Sequence, residues 1–199
     1  MIANKIMEED VLQYPFPHQI IDNFFTEDEY VRLIYALAKD ATTPIHLPDE
    51  ECYPDKQHII DIEEITENFH FWDELMEQFS HPDVLEALTS KWDLKYPVNS
   101  TVYNIHKDKK GFNRGPHNDV KSWNKEMTTI QVYCPSTTWL AHTGAWLHGK
   151  ENKQITFLPN RAWIFKACED SVHSVRETED EEIRDSILVK YCATRRRNE

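Results

Sequence analysis

The mostly apolar run FPHQIID (16–22) predicts a short strand. Behind it, TEDEYVRLIYALAKD (26–40) places apolar residues at helical intervals after Thr26 and Glu29, which stand in capping-box spacing. After a polar start, the chain therefore opens on a strand and an amphipathic helix. From 41 to 69 it turns polar and irregular, with Pro44, Pro48 and Pro54 among many acids, and predicts an excursion over the surface. Two further helices are expected at 70–79 and 82–91, the second capped by Ser80 or His81 with Pro82 in its first turn. From 97 onward the pattern changes to short β-type runs: VNSTVYNIH, MTTIQVYC, GAWLH, QITFL, AWIFKA, SVHSV and RDSILVKYCA. Short strands separated by turns and preceded by a helical layer predict an α+β, mainly β fold built on a sandwich or barrel. Gly111, Gly115 and Gly149 fall in the expected turns, and no internal repeat is visible.

With 199 residues, 40% of them hydrophobic, the chain fills one core rather than two. A single domain over 1–199 is expected, with 1–96 as the N-terminal strand and helical layer, 97–193 as the β core and 194–199 as a tail. The formal net charge of −13 argues against a nucleic-acid partner, because a phosphate backbone needs a cationic face. The one dense basic run, RRR at 195–197, lies in the tail. Cys52, Cys134, Cys168 and Cys192 form no CxxC pair and read as reduced thiols. No leader or long apolar run is seen, so a cytoplasmic protein without membrane contact is expected.

Histidine and aspartate two residues apart on a strand point to one side and can hold two corners of a metal site. The chain has three such pairs. His81/Asp83 brackets Pro82 at an expected helix start, where capping accounts for both residues. His106/Asp108 ends a strand inside HKDKKGFNRG, a lysine-rich stretch that reads as an exposed hairpin turn. His117/Asp119 follows RGP and precedes a polar connection, where irregular backbone at a barrel mouth lets side chains converge. This last pair is the candidate claw.

Two ligands hold a catalytic metal poorly, so a third must come from elsewhere. His18, His46, His58 and His70 fit strand-end, loop or helix-surface roles, and His142 and His148 flank the GAWLH strand. His173 stands on a strand that leads through an acidic turn into Arg184-Asp185-Ser186, where Arg184 and Ser186 share one face. Taken alone, Arg184 would neutralise the acidic run ETEDEE. Together, His117, Asp119 and His173 make a two-histidine, one-carboxylate facial triad of the kind that holds Fe(II) and leaves three positions open. A 2-oxo acid could fill two of them and O2 the third, with Arg184 facing the far carboxylate.

In this order and spacing the chain resembles the Fe(II)/2-oxoglutarate-dependent oxygenases, in particular the compact group that includes prolyl hydroxylases. STVYNIH looks like the strand that supplies a pocket tyrosine in many members, which nominates Tyr103. TTIQVYCP resembles the strand after HxD and nominates Tyr133, with Gln131 on the same face by parity. HTGAWLH looks like the family's GGxL strand with its first glycine replaced. The likeness covers most of the chain outside 41–69. It implies a double-stranded β-helix, a jelly-roll, cupin-like core with helices along one side. It also implies Fe(II) on His117, Asp119 and His173, and 2-oxoglutarate held by Arg184, Ser186, Tyr103, Tyr133 and Gln131. Succinate and CO2 would be released as an unactivated C–H bond is hydroxylated.

A competing expectation is a cupin-like metal-binding barrel, an isomerase or a sensor, in which the triad binds metal and Arg184 is structural. The substrate, a small molecule or a peptidyl residue such as proline, is open at this stage. Trp123, Trp139 and Trp146 could wall the site or fill the core. The segment 41–69 and VKSWNKE are candidate lids.

Overall fold

The computed structural model describes residues 2–40, 56–59, 68–108, 111–120, 125–134, 144–176 and 184–194. Helix α1 spans Ile2–Glu8, strand β1 His18–Ile21 and helix α2 Glu27–Asp40. The capping box before α2 forms as its spacing requires. The Thr26 amide donates to Glu29 Oε2 at 2.9 Å and the Glu29 amide donates to Thr26 Oγ1 at 3.3 Å. Helices α3 (Phe69–Ser80) and α4 (Pro82–Lys91) follow, and the Asp83 amide donates to His81 Nδ1 at 3.3 Å. That bond accounts for the first HxD as a helix cap.

Helix α1 occupies the stretch that the sequence marked only as a polar start. Seven residues cannot hold a helix alone. Ile2, Ala3 and Ile6 are buried in the core that also takes Val84 and Leu88 of α4. Burying a side chain such as Ile6 contributes ~2 kcal/mol, so tertiary packing makes this helix.

The strands are β2 (Lys56–Ile59), β3 (Val98–Asp108), β4 (Arg114–His117), β5 (Lys125–Tyr133), β6 (Trp146–Leu147), β7 (Lys153–Gln154), β8 (Arg161–Lys166), β9 (His173–Val175) and β10 (Arg184–Thr194). A six-stranded sheet runs in the order β1-β8-β5-β10-β3-β2, and a four-stranded one in the order β4-β9-β6-β7. Two strands lie where none was expected: β2 arises from the polar excursion and β4 from RGPH. QITFL is strand only at its start, in β7.

Alternation along β10 sorts the interior. Ile187, Val189, Tyr191 and Ala193 join the core shared with α1 to α4, whereas Arg184, Ser186, Leu188 and Lys190 face the other way. On that second face Tyr133, Trp163 and Phe165 of the large sheet pack with Phe16, Leu147, Ile155 and Phe157. The fold is thus mainly β, two antiparallel sheets enclosing one core with helices covering the outer face of the larger sheet. Gly144 is fixed by the closeness of this packing, since a Cβ there would sit 1.4 Å from the Ile155 carbonyl oxygen. No helix among the described residues is long and apolar enough to cross a membrane.

Candidate metal centre

Strands β4 and β9 pair so that His117 and His173 are direct partners across the ladder. Cross-strand neighbours project to one side, and their ring centroids lie 4.4 Å apart. Asp119, two residues past His117, brings a carboxylate oxygen to 4.0 Å from His117 Nε2. One ligand atom from each of His117, Asp119 and His173 falls within 4.8 Å of the others. Among the described residues no other His, Cys, Asp and Glu group is so arranged.

The surroundings fix which nitrogens face inward. His117 Nδ1 lies 2.9 Å from the Gly115 carbonyl and His173 Nδ1 lies 2.9 Å from the Ser171 carbonyl. A carbonyl only accepts, so each Nδ1 carries the proton and donates it, leaving each Nε2 with a lone pair. His117 Nε2 is buried and has no hydrogen-bond partner among the described residues. A buried acceptor left unmet costs stability unless something binds there, and a divalent cation fits this donor set.

Electrostatics keeps the three groups in ligand form. Burial lowers His117 below the ordinary histidine range and lowers His173 to about 4. Burial pushes the Asp119 carboxyl up, but Lys190, His173, Arg114 and His117 outweigh it and hold the group below its usual value. Near neutral pH the site therefore presents two neutral imidazoles and a carboxylate.

Arg184 and Ser186 stand on the same inward face of β10. Arg184 is 4% exposed, and its Nη2 donates to Asp108 Oδ2 at 3.2 Å. Gln131 Nε2 donates to Ser186 Oγ at 3.0 Å, while Trp163 Nε1 donates to Gln131 Oε1 at 3.0 Å. Tyr133 is buried on the same face, and its hydroxyl accepts the Ala145 amide at 3.0 Å. A small cavity of about 40 Å³ runs from the triad past Gln131, Asp108 and Lys190.

Three expectations require correction. Tyr103 is not with this group. It faces the helices, contacting Ser80 and donating to the Met76 carbonyl at 3.2 Å, because the inward positions of β3 are the even ones. His106 and Asp108 are not an exposed turn. They are 6% and 5% exposed and line the cavity, since β3 continues to Asp108 with β2 and β10 on either side. The neighbouring Lys107 points to the other face, toward Asp185 at 3.7 Å. Trp146 does not wall the site either. Its neighbour Leu147 takes the inward position, and Arg176 stacks over the Trp146 ring at 3.8 Å. Trp123, Trp139, His46 and His142, with most of both candidate lids, lie outside the described residues.

Two cations escaped the sequence reading. Lys190 Nζ lies 3.3 Å from Asp119 Oδ2, and Arg114 lines the cavity beside His117. Strand parity from Arg184 would have placed Lys190 on the inner face. Arg114 gave no such signal while RGPH read as a turn.

Neither a family model nor a curated protein matches the chain. Solved structures do match its fold. A Pseudomonas putida prolyl-4-hydroxylase aligns with a TM-score of 0.70 at 13% identity, over 98% of this chain and 100% of its own. A Trichoplax adhaerens prolyl hydroxylase, solved with a hypoxia inducible factor peptide fragment, aligns at 0.66 and 13% over 96% and 87%. The non-heme alpha ketoglutarate dependent epimerase SnoN aligns at 0.65 and 11% over 98% and 84%. The chain has the fold of these enzymes over nearly its whole length.

Proposed function

We propose that this chain is a non-haem Fe(II)- and 2-oxoglutarate-dependent dioxygenase that hydroxylates an unactivated C–H bond, releasing succinate and CO2. The observation that carries the proposal is the triad itself. Two imidazoles have their Nδ1 protons tied to backbone carbonyls, and both Nε2 atoms are left to face Asp119. The two-sheet architecture is read as a double-stranded β-helix and the chain as one domain, with the fold of solved prolyl hydroxylases in support.

His117, Asp119 and His173 would hold Fe(II), which when bound with 2-oxoglutarate and O2 supplies the oxidising power for C–H hydroxylation. The remaining work belongs to the protein. Arg184, buried on the inner face beside Asp108, is the cation for the far carboxylate of 2-oxoglutarate. Ser186, tied to Gln131, adds a hydroxyl beside it, and Tyr133 retains its own proton to donate because its oxygen already accepts from Ala145. Burial pushes the Tyr133 hydroxyl up to about 12, so it stays a donor at any working pH. Trp163 and Phe165, stacked with centroids 4.6 Å apart, pack edge-on against His173 and keep water from that side of the site. Asp119 completes the triad, and hydroxylation is proposed over halogenation because the carboxylate leaves no place for a halide.

One observation favours a second reading. Arg184 already has a carboxylate partner in Asp108, as in a metal-binding barrel where the arginine is structural. Turnover separates the two. Incubated aerobically with Fe(II), ascorbate and 2-oxoglutarate, the folded protein should form succinate well above the rate of Asp119→Ala. Metal binding with succinate no faster than in the variant would establish the second reading.

A further inference from the structure

A cavity of about 480 Å³ opens beyond Asp119, sharing His106, Arg114, Leu188 and Lys190 with the smaller inner one. That volume is in the range of small-molecule sites. Val102, Val120, Met127 and Leu188 make its apolar walls, and Val102 is 45% exposed at the mouth. Its charged end is cationic. Arg114 and Lys190 both line it, and Asp119 is the only carboxylate among its described lining residues.

The two cations are not equivalent. Lys190 is engaged by Asp119 at 3.3 Å. The Arg114 side chain is half-buried and makes no hydrogen bond or ion pair with a described residue. It is nonetheless close enough to disfavour protonation of both triad histidines and to favour the Asp119 carboxylate. In a chain of net charge −13, arginines have carboxylates in plenty to pair with. Arg161 does so with Asp22 at 2.6 Å, and Arg32 with Glu74 at 2.7 Å. A guanidinium facing a cavity beside a metal triad, drawn to Asp119 at longer range but with no carboxylate in contact among the described residues, is placed to receive one from a ligand.

We propose that this outer cavity binds the substrate, a small molecule carrying an oxyanion, carboxylate or phosphate, on an apolar body. Arg114 grips the oxyanion, Val102, Met127 and Leu188 hold the body, and the reacting C–H is thereby set on the Asp119 side of the triad. This rests on the oxygenase reading for what happens to the substrate, though not for what binds.

The probes are 4-phenylbutyrate, phenethyl phosphate and the neutral 4-phenylbutanamide. Each is titrated into the full chain by ligand-observed NMR, metal-free and again with Mn(II) and 2-oxoglutarate. At least one anion should bind about tenfold or more tighter than the amide, and which anion wins tells carboxylate from phosphate. Arg114→Gln should bring anion and amide within about twofold, Arg114→Lys should restore part of the preference, and 2-oxoglutarate affinity should move less than about threefold in either. In the wild type, raising salt from about 20 to 300 mM should weaken the anions and spare the amide, a measurement that needs no variant to fold. No preference for either anion, no binding of any probe, or an equal loss of 2-oxoglutarate affinity in Arg114→Gln would overturn the assignment. Anion preference in a protein that makes no succinate would end the oxygenase reading and leave this one standing. Succinate without anion preference would do the reverse.

Discussion

Arg184 Nη2 lies 3.2 Å from Asp108 Oδ2, and both side chains are almost wholly buried on the inner face of the large sheet. The arginine proposed to hold 2-oxoglutarate is thus held by the second residue of the HxD pair that lies outside the proposed triad. An incoming carboxylate must compete with Asp108 for it. Removing one member of a buried pair leaves the other charge poorly compensated, which is costly to the fold. Asp108→Asn should therefore melt lower than wild type without ligand, yet gain more stability from 2-oxoglutarate and bind it about tenfold tighter. Thermal melts with and without 2-oxoglutarate measure this, and an unchanged ligand-induced shift would show that the two carboxylates do not share Arg184. In Arg184→Ala, 2-oxoglutarate affinity should fall about a hundredfold with metal affinity within about threefold. Equal losses would make Arg184 structural.

The metal itself should report on the histidines. Two ordinary imidazoles titrating near 6.5 would cost more than about tenfold in apparent metal affinity between pH 8 and 6, because both must lose a proton to bind. Here burial lowers both, His173 to about 4, so His173 is already neutral over that window and His117 takes up less proton than an ordinary imidazole. Mn(II) affinity should therefore fall by clearly less than about tenfold between pH 8 and 6. A decline centred near pH 6.5, followed by calorimetric titration, would mean the imidazoles are solvated as free histidines are.

The two HxD pairs near the site separate by substitution. His117→Ala removes a proposed ligand and should weaken metal binding by about a hundredfold or more. His106 lines the cavity without belonging to the triad, so His106→Ala should hold metal affinity within about threefold. Comparable losses in the two variants would assign the metal to the wrong pair.

Tyr103 tests the face of β3. Its hydroxyl donates to the Met76 carbonyl and contacts Ser80, on the helix side of the sheet. Tyr103→Phe should cost about 1 kcal/mol in chemical denaturation and leave 2-oxoglutarate affinity unchanged. Weakened 2-oxoglutarate binding with intact stability would put the ring on the inner face of the sheet after all.

What the sequence made legible was local or strictly spaced. Thr26 and Glu29 sit three apart and cap α2 whatever surrounds them. His117, Asp119 and His173 carry their chemistry in residue type and order. Less could be read where tertiary pairing decides. RGPH looks like a turn because Gly115 and Pro116 are turn residues, yet β9 recruits it as the strand that aligns His117 with His173. Tyr103 was one position out of register with the inward residues of β3, and one position reverses the face. His106, Asp108, Arg114 and Lys190 are polar types that solvent claims by default. Only the closed pair of sheets turns them inward. The same physics lets the fold match solved structures at 10–14% identity, since strand alternation constrains polarity far more than residue identity.

The most direct measurement is anaerobic absorbance on adding Fe(II) and then 2-oxoglutarate. A bidentate 2-oxo acid on Fe(II) held by His117, Asp119 and His173 predicts a weak visible charge-transfer band that saturates at one equivalent, is lost in Asp119→Ala, and decays with formation of succinate when oxygen is admitted. Folded protein that binds the metal but shows no band, and yields no succinate in air, would contradict it.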